Sequence, residues 1–258
     1  MLYHVLFCET PRFSLAGRGV SLSWRKKRKD KPYERRALQY PEDPERAVAT
    51  AARLCYAPVG ATELMETMPP ERVQSVLSTI MKSGHFSTLE HVSYTFAVDG
   101  VSRALTHQLV RHRLASFNQQ SQRYVKFSGD VEVVKPPTVS ADEETSQVFD
   151  EAIKAATDAY HKLLEAGVPA EDARYLLPNA AETKIVITMN IRELLHFLSL
   201  RCCNRAQWEI RELANRMLEL VRPTAPYIFM DAGAPCVRGA CPEGKMTCGN
   251  PYPKVVRE

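Results

Sequence analysis

One stretch concentrates the groups able to hold an anion: Arg111-His112-Arg113-Leu114-Ala115-Ser116-Phe117-Asn118-Gln119-Gln120-Ser121-Gln122-Arg123-Tyr124. Its charged side chains are all basic, so no acid within it neutralises the arginines. A guanidinium presents five donors in a fixed plane and suits bidentate contact with phosphate or with the edge of a planar heterocycle. Arginines, amides and the Ser121 hydroxyl crowded into so short a span point to an anionic, hydrogen-bonding ligand.

The elements on either side must aim these groups. Val101, Leu105 and Leu109 recur every four residues and predict a helix running into Arg111, with Gln108, Arg111 and His112 sharing another face. Before it, Val92, Tyr94, Phe96 and Val98 alternate with smaller residues as a half-buried strand, and Asp99-Gly100 reads as the turn toward the helix. The loop His85–His91 therefore lies near the site, although two histidines and Glu90 at this spacing make a weak metal pattern. Further on, a strand from Thr183 hands over at Asn190, a good N-cap, to a helix whose Leu194, Leu195 and Leu198 pack inward. Arg192 and His196 share a face there, so Asn190, Arg192 and His196 can converge on one ligand. Read by themselves, these features also fit a basic helix end that complements its dipole and a capped helix with incidental polar groups.

The pattern Arg-His-Arg, then Ser121-x-Arg123-Tyr124, resembles the signature of the flavin-dependent thymidylate synthases, and family-like blocks run from about Ala47 through Tyr227. The resemblance implies an α+β single domain, an antiparallel sheet flanked by helices, assembled as a homotetramer with shared active sites. It implies conversion of dUMP to dTMP, with methylenetetrahydrofolate as one-carbon donor, FAD as cofactor and NADPH as its reductant. Residue by residue, it places His85, Ser87, Glu90, Arg111, His112, Arg113, Gln119, Asn190, Arg192 and His196 against the flavin. It places Gln108, Arg111, Gln119, Ser121, Arg123, Arg174 and Arg201 against dUMP. Arg174 stands in an Ala-Arg-x-x-Leu-Pro setting similar to the family's second phosphate contact, and Arg201 matches the arginine that favours ionisation at the pyrimidine N3. His196 stands where the family often has asparagine, and Gln119 where it often has glutamate.

The remaining sequence frames this domain. Residues 1–36 hold ten Lys or Arg against three acids, whereas the rest carries twenty-four against twenty-seven, so the catalytic body is not basic overall. That disfavours a nucleic-acid-binding module, and the run Arg25-Lys26-Lys27-Arg28-Lys29 reads as a solvated segment. A flavoprotein acting on other substrates is the remaining alternative. No apolar run reaches the roughly 18 residues of a membrane span, and MLYHVLF is followed by Glu9, Pro11 and Arg12, unlike a secretory signal. The expected location is the cytoplasm, where the seven cysteines stay mostly reduced. No base is identifiable beside Cys202 or Cys203 to make either a nucleophile. Cys236, Cys241 and Cys248 fall short of a closed zinc site, so no metal is expected.

Three segments follow from this: a basic part at 1–36, the domain at 37–230 and a Cys/Pro/Gly-rich tail at 231–258. Within the domain, Asp43-Pro44 opens a helix with Ala47, Val48, Ala51, Leu54 and Cys55 inside, and another runs from Pro70 to a stop at Gly84. Strands are expected at 125–127 and 131–134. A helix follows over 144–166 with Val148, Ile153, Ala156, Tyr160 and Leu164 inward, and a short one over 169–177. Trp208, Leu213, Met217 and Leu220 mark a closing core helix.

Overall fold

The computed structural model describes residues 35–254. The basic run 25–29 and the apolar start lie outside the described residues.

Four strands form one antiparallel sheet in the order β1-β2-β4-β3. They are β1 (Arg35–Gln39), β2 (Ser93–Ser102), β3 (Ser116–Gln119) and β4 (Glu182–Asn190). The central pair β2 and β4 runs in register from Ser93 opposite Asn190 to Ser102 opposite Glu182. Alternation of side chains across the pleat sends Tyr94, Phe96, Val98, Ile185, Ile187 and Met189 to one buried face.

Helices cover that face. Three lie before the second strand: α1 (Pro44–Leu54), α2 (Ala61–Thr67) and α3 (Pro70–Ser83). The middle of the chain adds α4 (Arg103–Leu109) and, packed on one another away from the sheet, α5 (Pro137–Ser140), α6 (Glu143–Glu165) and α7 (Ala170–Ala173). After the sheet come α8 (Ile191–Arg201), α9 (Trp208–Val221) and α10 (Pro226–Phe229). The Asp43 carboxylate accepts from the Arg46 N–H at the start of α1, and Gly84 closes α3 in the left-handed region at φ 74°, which only glycine adopts freely. Val48, Leu77, Leu194, Phe197, Leu198, Leu213 and Met217 join the sheet residues in one core. The architecture is the expected α+β domain.

Several local expectations need correction. Asp99-Gly100 does not end the strand: the register slips between Asp99 and Val101, and the strand continues to Ser102 past a bulge at which Gly100 takes φ 74°. Val101 is accordingly a strand residue, buried like Leu105 and Leu109 but not helical. The helix after it ends at Leu109, so Arg111 and His112 lie in a turn where the His112 N–H donates to the Leu109 carbonyl at 3.1 Å. Residues 125–127 and 131–134 form no strand, since Val125 is exposed and only Val133 makes a single bridge, to Ala181. Val148 is 63% exposed because α6 packs on α5, α7 and the turn at Arg174–Leu176 rather than on the sheet. Leu54 and Cys55, at the frayed end of α1, are exposed as well. The expected helix over 169–177 is α7 followed by a 3₁₀ turn at Arg174–Leu176. Two strands were not foreseen, β1 and β3.

Candidate active site

A buried carboxylate anchors the helix that leads into the arginine-rich stretch. Glu209 of α9 is 4% exposed, and it accepts from the Ser102 N–H at 2.7 Å and from the Ser102 hydroxyl at 2.5 Å. The same hydroxyl accepts from the Leu105 N–H at 3.0 Å, so Ser102 caps α4 while tied to α9.

Beyond α4 the turn carries Arg111 and Arg113 outward and His112 inward. On the facing element, Asn190 caps α8 through its side-chain oxygen to the Glu193 N–H at 2.9 Å. This orients α8 so that Arg192, Glu193, His196 and Arg201 all border a cavity of about 890 Å³, together with Arg111, His112 and Arg113. Met81, Phe86, Leu114, Leu195 and Ile228 supply its apolar wall. Asp231 and Arg238 complete it from the C-terminal segment. The volume lies in the range of sites for drug-sized or cofactor-sized molecules, roughly 300–1,000 Å³.

The electrostatics of this cavity centre on His112. Its Nδ1 lies 3.0 Å from Glu193 Oε1, and Arg201 Nε donates to its Nε2 at 3.1 Å. Burial, its largest cause, with help from Arg201 and His196, lowers the His112 pKa below the ordinary value despite the opposing pull of Glu193. Burial and then neighbouring Arg111 lower Arg201 as well, although a guanidinium keeps its proton throughout the ordinary pH range. Arg192 forms an ion pair with Glu90, both half exposed. His85 and Ser87 are exposed on and beside the 3₁₀ turn Phe86–His91, which reaches the cavity through Phe86.

The other expected contacts gather elsewhere. Arg123 pairs with Glu171 at 2.8 Å, Arg174 Nε donates to the Glu171 carbonyl at 3.0 Å, and the Ser121 hydroxyl accepts from the Arg123 N–H at 3.2 Å. Gln119 donates to Thr106 and Thr183 at 3.2 and 3.3 Å. Arg103 joins this group by donating to the Gln120 carbonyl at 2.8 Å, and Arg174 contributes to the lowering of its pKa, behind burial. Gln108 is half-buried near the end of α4. None of these residues borders the cavity around Arg201. Within this chain the sequence-predicted residues thus do not all meet: Arg111, His112, Arg113, Arg192, His196 and Arg201 border the cavity, whereas Gln119, Ser121, Arg123 and Arg174 lie apart from it.

Burial pushes the Cys202 thiol up to about 12, overriding Arg222, so the cationic surroundings do not make it a thiolate at neutral pH. Cys203, Cys236, Cys241 and Cys248 share the wall of a second cavity, of about 340 Å³, which also touches Arg201. Among the described residues no group of three or more His, Cys, Asp or Glu is arranged to hold a metal ion. Reasoning from the sequence missed Glu193 and Arg238. Glu193 had a signal, an acid three residues after the Asn190 cap, which normally reads as a capping partner. Arg238 had none, because only the fold brings the tail to the cavity.

The chain belongs to the family described as thymidylate synthase complementing protein, whose model matches residues 36–227. Among its relatives, a protein of Geobacter sulfurreducens named flavin-dependent thymidylate synthase is 61% identical over 213 residues, which is 82% of this chain and 92% of the relative. One of the same name from Clostridium tetani is 50% identical over 228 residues, covering 82% and 91%, and another from Nitratidesulfovibrio vulgaris is 46% identical over 231 residues, covering 84% and 94%.

Proposed function

We propose that the protein is a flavin-dependent thymidylate synthase that converts dUMP to dTMP, taking the carbon from methylenetetrahydrofolate and using FAD reduced by NADPH. The observation that carries this reading is the cavity at which Arg111, Arg113, Arg192 and Arg201 meet, built from the family signature and the α8 helix. Its donors fit FAD: several guanidinia stand ready for a pyrophosphate, and Phe86, Met81, Leu114 and Leu195 offer apolar surface for a ring system. Arg111, Arg113, Arg192 and His196 would hold the cofactor, with Asn190 shaping the wall through its cap. Bound FAD supplies hydride transfer, chemistry that no side chain provides.

The protein's own contribution is binding and electrostatics. Arg123, Arg174 and Ser121 hold the phosphate of dUMP, with Gln119 and Gln108 beside the nucleoside. Arg201 lies against the pyrimidine and stabilises the negative charge that develops when N3 loses its proton, an effect strengthened where water is excluded. Because the phosphate group of residues and the cavity are separate in one protomer, a complete site combines residues of neighbouring subunits in a homotetramer. Exposed Leu114, Tyr124 and Tyr175 beside the two groups supply apolar surface for such contacts. Among the described residues no helix is long and apolar enough to cross a membrane, and the six described cysteines are free, in keeping with a cytoplasmic enzyme whose catalytic domain spans 37–230. The absorbance spectrum of the purified protein tests the cofactor: flavin bands that shift on adding dUMP, with dTMP formed once folate and NADPH are present, are expected. A colourless protein that makes no dTMP when given all four compounds refutes the reading.

A further inference from the structure

The His112 imidazole is 5% exposed and lies between two charged groups of the same helix, Glu193 in the first turn of α8 and Arg201 at its end. It packs edge-on against Phe197, with ring centroids 5.0 Å apart, and against His196 at 5.9 Å. A guanidinium has donors only, so in the 3.1 Å contact Arg201 Nε–H donates and His112 Nε2 must be bare. The ring proton is therefore on Nδ1, which donates to Glu193 Oε1 at 3.0 Å. Donation runs one way, from Arg201 through His112 to Glu193. A second ring proton would set N–H against N–H, and burial already disfavours the charged ring.

Two further details show that this geometry is specified. Glu193, though placed three residues beyond the Asn190 cap, does not fold back on the helix start; its carboxylate reaches across to His112, while its own N–H is capped by Asn190. Arg201 is gripped at Nε alone, and its terminal nitrogens have no hydrogen-bond partner among the described residues, although the side chain borders the cavity.

We propose that Glu193 and His112 are positioning residues, a relay of fixed tautomer that holds the Arg201 guanidinium by one edge and leaves its outer edge for the substrate. The proposal rests on the role given above to Arg201. It also changes what His112 does: with both ring nitrogens engaged inside the chain, it serves the site through Arg201 and not by a hydrogen bond of its own to cofactor.

The test uses the flavin-loaded enzyme. In Glu193→Leu the acceptor for Nδ1–H is gone, the imidazole is free to carry its proton on Nε2 and repel Arg201, and kcat falls about 10²-fold, the usual effect of a misplaced catalytic group. Flavin content stays within about 3-fold, and dUMP, still held through Arg123, Arg174 and Ser121, loses less than about 10-fold in affinity, because of its contacts only the one to Arg201 runs through Glu193. Glu193→Gln, whose amide oxygen still accepts from Nδ1–H, restores kcat to within about 10-fold of wild type. Parallel loss of flavin, dUMP binding and melting temperature in both variants would mark a merely structural residue and overturn the relay. So would normal kcat in Glu193→Leu while Arg201→Lys is inactive. Normal kcat in Arg201→Lys would instead remove the reading on which the relay rests. Should Glu193→Leu not fold, the wild-type holoenzyme decides: nitrogen NMR of histidine-labelled protein, with His112 assigned by its loss in His112→Asn, is expected to show a protonated Nδ1 and a bare Nε2 at neutral pH. A proton on Nε2 overturns the proposal.

Discussion

Two groups of arginines in this molecule are held in opposite ways. Arg201 is half-buried and tied by one hydrogen bond into a chain that ends on Glu193, a carboxylate 4% exposed. Arg123 meets Glu171 across side chains 51% and 48% exposed. A buried charge deprived of its partner is costly, so the first group is committed to one geometry before any ligand arrives. An exposed ion pair contributes little net stability, so on the proposed reading Glu171 gives way to a phosphate that offers more acceptors and more charge. The first arrangement suits a reaction centre, which must be set within a fraction of an ångström. The second suits a handle that captures and releases a soluble nucleotide.

Five variants probe that contrast. Arg201→Lys, which keeps the charge and loses the planar fork, is expected to lower dTMP turnover by about 10²- to 10³-fold while flavin absorbance is retained. Near-normal turnover would erase the distinction between the groups. Glu209→Ala strips both acceptors from Ser102, and the α4 cap that leads to the signature should lose about 2–4 kcal/mol, read as a lower urea midpoint. An unchanged midpoint would show that the anchor is not what holds the turn. Arg123→Ala and Arg174→Ala should each raise the KM for dUMP about 10- to 100-fold with the urea midpoint essentially unchanged, as loss of a charged hydrogen bond at an exposed site requires. Destabilisation without a KM effect would make them structural. The smallest effect is expected for the double variant Cys202→Ala/Cys203→Ala, where dTMP formation should stay within about 5-fold, since the Cys202 thiol is pushed up to about 12 and neither cysteine borders the cavity shared by Arg201 and the signature. A variant that binds flavin and dUMP but makes no dTMP would overturn that view.

The exposed group was more legible in sequence than the buried one. Arg123 and Ser121 stand inside the signature, and Arg174 came forward through the resemblance of its Ala-Arg-x-x-Leu-Pro setting to the family's second phosphate contact. Caps were legible for the same local reason: Asp43 before Pro44, Gly84 after Ser83 and Asn190 before Ile191 all act within a turn of where they sit. The pairing of His112 with Glu193 was not legible, because it joins residues far apart in the chain and is set by how α8 crosses the turn. β3 escaped notice for a related reason. Ser-Phe-Asn-Gln has no apolar alternation and is a strand only because the edge of β4 offers it partners from Ile185 to Thr188. Conversely, Val125-Lys126-Phe127 has strand-forming residues and no edge to pair with.

The central strand pair has a consequence for how the chain reaches this state. Ser93 faces Asn190, and β2 waits along this whole edge for a strand made much later in synthesis. Until then Phe96 and Val98 have only the β1 side of their ladder, and the α8 and α9 residues that complete their core are missing. Such distant pairing slows folding, because the entropy of closing the intervening loop is lost before the contacts form. A nascent chain that has emerged only through α7 therefore presents an apolar strand with an open edge, the kind of surface that associates with other unfinished chains.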